Sequence, residues 1–143
     1  MPHPDGYFAL VLGPGSSRLL RQRYATLPNP IAHHCTVRHG TADPRDLPAM
    51  FDVGDLGRSY ELVVIGLAAS ATVEAVAVAL ILPDGSRLQR GFTENAIAHV
   101  TVATDGIAEP FTSNALLVAG FAVIEDGPRL QATLAHVEGA PAV

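Results

Sequence analysis

The sequence predicts one α+β domain over residues 1–143. Three observations predict it. Short apolar runs, some alternating with period two, recur along the chain. Two segments of helical spacing sit between them. A strand-like stretch in the first half is echoed in the second. At 48% hydrophobic and 16% charged residues, the chain has a globular balance and enough length to bury its own core. No linker or low-complexity stretch divides it.

The elements follow in order. YFALVL, Tyr7–Leu12, reads as a short buried strand. GPGSS breaks it. Ser16 or Ser17 is the expected cap of a helix running to about Leu27, with Leu20, Tyr24 and Leu27 on its inward face. PNP stops that helix. In AHHCTVRHG, residues 32–40, cysteine, threonine and valine favour a strand. Residues 42–58 hold Asp, Pro and Gly at loop density, with one helical turn expected near 47–51.

RSYELVVIGLAAS and TVEAVAVALIL are two further strands, the second setting Val76, Val78 and Leu80 against Ala75, Ala77 and Ala79. PDGS is a turn in which Gly85 takes positive φ. AIAHVTVATDG is another strand. TSNALLVAG is a short helix capped by Thr112 or Ser113. FAVIEDGPRLQATLAHVEG reads as a hairpin about Asp126 and Gly127.

The echo carries the chemistry. IAHHCTV and IAHVTV share a His-x-Thr-x pattern with apolar x: His34-Cys35-Thr36-Val37 and His99-Val100-Thr101-Val102. On a strand, successive side chains alternate faces. His34 and Thr36 then share one face, together with Arg38, while Cys35 and Val37 enter the core. The same rule joins His99 to Thr101. If the two strands lie side by side, two imidazoles and two hydroxyls converge. One histidine can then take a proton from an attacking oxygen while the other protonates the leaving oxygen. The threonines donate to the non-bridging phosphate oxygens. This chemistry requires no metal or other cofactor.

The paired motifs resemble the two-histidine (2H) phosphoesterase superfamily, and the resemblance spans nearly the whole chain. It implies a duplicated, two-lobed fold, with antiparallel sheets around a central cleft and flanking helices. The segment HVTVATDGIAEPFTSNALL is similar to the cyclic phosphodiesterase domain of fungal tRNA ligases, and the compact size is similar to small phage enzymes that degrade cyclic oligonucleotide signals. The resemblance implies catalytic roles for His34, Thr36, His99 and Thr101. It also implies substrate contacts from Ser113 and Asn114, and from Tyr7 as an N-terminal aromatic that stacks on a base. Arg38, on the face of His34, is a candidate phosphate contact, with a surface role at the strand end as the equal alternative. The expected substrate is a small cyclic nucleotide or cyclic oligonucleotide, with 2′,3′-cyclic phosphate RNA ends as the alternative.

Other readings stand beside this one. A metal site would draw on His33, Cys35 and His39, on the face opposite His34, with only His3 and His136 as further histidines. The plainer reading of Cys35 is a core thiol. GPGSSRLLRQR lacks the Gly-Lys-Ser/Thr ending of a phosphate loop, and Arg18, Arg21 and Arg23 read as a solvated helix face. Tyr7 also reads as a buried core tyrosine, and Ser113 and Asn114 as helix-cap residues. A nucleotide-binding module without catalysis, or a structural domain with a coincidental repeat, are the rival classes.

Bulk properties narrow the partners. A net charge of −5, from nine Lys plus Arg against fourteen Asp plus Glu, argues against a broad surface for long nucleic acid. The longest apolar runs are too short to span a bilayer, and MPHPDGYF does not read as a signal peptide. A single cysteine points to a reducing, cytoplasmic setting.

Overall fold

The computed structural model describes residues 4–139. Its strands are β1 (Tyr7–Leu12), β2 (Asn29–Pro30), β3 (His34–His39), β4 (Ser59–Ala69), β5 (Val73–Ile81), β6 (Arg87–Leu88), β7 (His99–Thr104), β8 (Ala122–Val123) and β9 (Arg129–Val137). Its helices are α1 (Pro14–Tyr24) and α2 (Ser113–Ala119). No helix among the described residues is long and apolar enough to cross a membrane.

Strand β7 decides the architecture, because it is hydrogen-bonded on both edges, to β3 and to β5. The circuit runs β7–β3–β1–β9–β4–β5 and back to β7, antiparallel throughout. The result is a closed six-stranded antiparallel barrel with two helices. The short strands β2, β6 and β8 lengthen the ladders of β7, β5 and β4.

The two-lobed arrangement with sheets facing across a central cleft therefore does not form. Both halves of the chain enter one circuit, so the barrel strands bond on both sides and no pair of separate sheets is left to face each other.

Alternation fills the barrel. Leu10 and Leu12, Cys35 and Val37, Leu62 and Val64, Val76 and Val78, Val100 and Val102, and Leu130 and Leu134 belong to one buried cluster drawn from all six strands. The alanines of β5 point the other way. Ala75 and Ala77 pack with Leu117 of α2 in a second cluster. Large residues thus fill the inside of β5, and small ones let a helix lie close on the outside. Helix α1 contributes Leu20, fully buried in the main cluster.

Three local expectations change. Helix α1 starts at Pro14 with Gly13 as its cap and no side-chain cap bond. Ser16 Oγ accepts instead from the Gln131 amide (2.8 Å), and Ser17 Oγ accepts from Arg21 (2.8 Å). The helix ends at Tyr24, because Glu74 accepts from the amides of Thr26 (2.8 Å) and Leu27 (3.0 Å) and draws them away.

Within residues 42–58 the helical turns are 3₁₀ and lie at Pro44–Asp46 and Val53–Asp55, nucleated by Asp43 and Asp52 side chains that accept from Arg45 and Gly54 amides. They flank the expected 47–51 segment rather than occupy it.

The last expectation was a hairpin about Gly127, but β8 and β9 do not pair with each other. Both pair with β4, on either side of a bulge between Val64 and Gly66. The connecting loop presses against the β4 backbone at Gly127, where a Cβ would lie 1.9 Å from the Val64 carbonyl oxygen. Only glycine fits there without moving backbone. Gly127→Ala is expected to lower stability by roughly 1–3 kcal/mol, the usual cost of overpacking, measured by urea unfolding. An unchanged midpoint would mean that the loop has room for a methyl group beside Val64.

Candidate functional site

The two motifs meet where the barrel closes. Cys35 of β3 pairs with Val100 of β7, the only registered pair joining these strands. One step to either side sets His34 beside Thr101 and Thr36 beside His99. Cys35 and Val100 point inward and are fully buried. The histidines and threonines point outward and line one cavity of about 680 Å³. Tyr7, His39, Glu94, Asn95, Glu109, Phe111 and Asn114 complete most of its wall.

Of the residues expected from sequence, His34, Thr36, His99, Thr101, Tyr7 and Asn114 line this cavity, whereas Arg38 and Ser113 do not. A bulge explains Arg38. Against β1, Phe8 pairs with Arg38 and Ala9 with Thr36, so β3 holds one extra residue. The extra residue reverses the alternation beyond it. His39 then joins the face of Thr36 and stacks on Tyr7, with ring centroids 6.3 Å apart at 22°. Arg38 turns to Glu94 instead, at 3.7 Å.

Ser113 is fully buried beneath the wall, its hydroxyl 2.8 Å from Thr101 Oγ1. Thr101 also donates to the Pro110 carbonyl (3.2 Å). Ser113 therefore orients a cavity hydroxyl without reaching the cavity itself.

The face opposite His34 is also not as expected. Only Cys35 points away. Ala32 has φ 45°, and this kink lies between the Ile31 and Ala32 amides that bond β7 and the start of β3. His33, just after the kink, brings its Nδ1 within 2.8 Å of His34 Nδ1. Burial pushes the Cys35 thiol up to about 12, which leaves it neutral and unreactive. Among the described residues, no group of three or more His, Cys, Asp or Glu side chains is placed to hold a metal ion. His3 lies outside the described residues.

The two catalytic candidates are held differently. His99 is 8% exposed, and its Nδ1 lies 2.8 Å from the Ile97 carbonyl oxygen. A carbonyl only accepts, so Nδ1 carries the proton and Nε2 keeps its lone pair. His34 Nδ1 faces the Tyr7 hydroxyl at 3.5 Å, and the rings lie 4.8 Å apart. Burial raises the Tyr7 pKa, so the phenol keeps its proton and can give the hydrogen bond. His34 Nδ1 also meets His33 Nδ1 at 2.8 Å; with His33 Nδ1–H and the Tyr7 hydroxyl both donating to it, the mobile proton of His34 is on Nε2.

Burial first, then the neighbouring His33 and His99, lower His34 to about 4. Burial also lowers His99, against a smaller opposing effect from the Ile97 carbonyl. The lining adds the carboxylates of Glu94, Glu109 and Glu138 and no arginine. Residues 89–97 are fixed to the wall by the Glu94 amide on the Val37 carbonyl (2.9 Å) and the His39 amide on the Glu94 carboxylate (2.6 Å).

Sequence reasoning missed His39 because the bulge has no signature in composition. It missed Glu94, Glu109 and Phe111 because they lie on irregular segments, where period-two alternation does not apply. Comparison with known proteins finds no matching family model and no matching curated sequence.

The depressed His34 has a stability consequence. Between about pH 4 and 6.5 the unfolded chain binds a proton at His34 that the folded chain refuses, so stability falls as pH drops through that window. Urea unfolding at pH 7, 6, 5 and 4.5 is expected to show this loss, and His34→Gln should lessen it. The same slope in both proteins would show that His34 titrates freely in the fold.

Proposed function

We propose that the protein is a phosphodiesterase of the two-histidine kind, acting on a small cyclic nucleotide or cyclic oligonucleotide without a metal. The observation that carries the reading is the convergence of both His-x-Thr pairs on one cavity, side by side across the Cys35–Val100 pair. The resemblance of those motifs to 2H phosphoesterases supports it further, independently of the lobed arrangement.

The tautomers suggest a division of labour. His99 Nε2, with its free lone pair, takes the proton of the attacking water or hydroxyl as its oxygen bonds to phosphorus. His34 Nε2–H protonates the leaving oxygen as its bond to phosphorus breaks. Thr36 and Thr101 hydroxyls meet the non-bridging oxygens, where charge accumulates. To do so, Thr101 turns its proton from the Pro110 carbonyl to phosphate while Ser113 donates to Thr101. The lining has no arginine, so the positive charge facing phosphate is the His34 imidazolium that forms when the anion enters. The anion itself raises the His34 pKa, since an adjacent negative charge favours the protonated ring.

Turnover of 2′,3′- and 3′,5′-cyclic mononucleotides, cyclic di- and trinucleotides and RNA ending in 2′,3′-cyclic phosphate tests the reading. His34→Ala and His99→Ala are each expected to lower turnover by roughly 10²- to 10⁴-fold. Thr101→Ala should lose less, and Ser113→Ala less again. Near wild-type turnover in either histidine variant would exclude the mechanism.

The pH profile gives a second test. kcat/KM, which reports the free enzyme, should be bell-shaped with its maximum below pH 6.5, because both rings are depressed there. The alkaline limb of kcat should lie at higher pH, because the bound anion holds the proton on His34. An optimum on the alkaline side would contradict the roles given to the two rings.

A further inference from the structure

We infer that the turn after β7 forms a nucleobase subsite, with the Phe111 ring as its platform and the Glu109 carboxylate reading the edge of a guanine. The inference rests on the reading that the cavity holds a nucleotide, and it adds which residues hold the base and which base they select.

The first observation is a built loop that presents an aromatic face. Phe111 lines the cavity with its side chain 59% exposed. The loop that carries it is heavily bonded. Asp105 accepts from the amides of Ile107 (2.9 Å) and Ala108 (2.8 Å), Thr112 Oγ1 donates to the Glu109 carbonyl (2.7 Å), and the Pro110 carbonyl accepts from Thr101. Ser113, two residues after Phe111, bonds Thr101 (2.8 Å) and keeps that bond when Thr101 turns to phosphate, so the turn stays tied to the second motif.

The second observation is placement across the barrel wall. In sequence of neighbours, β1 carries Tyr7, β3 carries His34 and Thr36, and β7 carries His99 and Thr101. Beyond β7 lie β5 and the helix α2 that packs on it, with the Phe111 turn at the start of that helix. Tyr7 and Phe111 thus stand on opposite sides of the two motif strands and line the same cavity. A phosphate between the histidines has an aromatic surface on each flank. Stacking suits any base, because every base offers a π-face.

Selection comes from charge and donor pattern. Glu109 lines the cavity, and its carboxylate has no partner among the described residues. A carboxylate accepts only, through two oxygens. Guanine alone offers two adjacent N–H donors on its pairing edge, N1–H and N2–H, which match both oxygens. Adenine and cytosine set one donor beside a bare acceptor, and uracil sets its N–H between two carbonyls. Each of these would place an oxygen or nitrogen lone pair against the carboxylate. Asn114, one turn further on and also in the wall, supplies both a donor and an acceptor for the remaining edge.

The test is equilibrium binding of GMP and UMP to the full chain by calorimetry, with Phe111→Ala and Glu109→Gln. Phe111 and Glu109 are exposed, so their variants keep the core intact. The expected result is GMP bound at least roughly tenfold tighter than UMP. Glu109→Gln should erase that preference, and Phe111→Ala should weaken both ligands by roughly tenfold or more. Equal affinity for GMP and UMP, no binding of either, or unchanged binding in Phe111→Ala would overturn the subsite. Because the readout is binding, it separates the two claims. Guanine preference lost in Glu109→Gln, in a protein that turns over no phosphodiester, keeps the subsite and rejects the catalytic reading. Turnover of cyclic GMP and cyclic UMP at equal kcat/KM does the reverse.

Discussion

The pairing of Cys35 with Val100 is the contact on which the rest depends. It joins β3 to β7 and so closes the barrel. It also sets the alternation of both strands at once. Two inward residues, a thiol and an isopropyl group, are fully buried, and burial of such groups supplies the main driving force for closure. Their outward neighbours have no freedom left: His34, Thr36, His99 and Thr101 must share one side of the wall. The convergence of these side chains is thus a by-product of packing on the other face. A slip of one residue in either strand would bury the histidines and expose the core.

Much of this was legible in the sequence, because alternation is a local rule. The facing of His34 and Thr36, the inward turn of Cys35 and Val37, and the contrast between the valines and alanines of β5 all follow from a period of two. The turn at Gly85, with φ +86°, follows from PDGS. What local rules miss is partner choice. Nothing in the β7 sequence says that it bonds to β3 and β5 together, so closure into a barrel could not be read, and separate lobes were expected. Nothing in the β8 and β9 sequences says that both prefer β4, since that depends on the bulge after Val64 and the glycine pressed against it.

The site shows the same limit at smaller scale. Arg38 was expected to face phosphate, and one inserted residue opposite β1 exchanges it for His39. The exchange removes a fixed cation and brings an aromatic imidazole to stack with Tyr7. With no arginine and three carboxylates in the wall, the cavity depends on a proton for its positive charge. That links the depressed histidines to the proposed function: rings that are neutral when empty can accept a proton when an anion arrives. Ser113, expected at the substrate, acts one layer back by orienting Thr101.

The central claim is that one phosphate sits between His34 and His99, one ring bearing its proton on Nε2 and the other on Nδ1. Long-range ¹H–¹⁵N correlation spectra of the histidine rings test it most directly, recorded at pH 6.5 on the free protein and during titration with a non-hydrolysable phosphorothioate dinucleotide. The account predicts an Nδ1–H tautomer for His99 and an Nε2–H tautomer for neutral His34 in the free protein. At one equivalent of ligand, both rings should shift together and His34 should become imidazolium. The same tautomer in both free rings, or a ligand that shifts one ring and leaves the other unmoved at saturation, would contradict it.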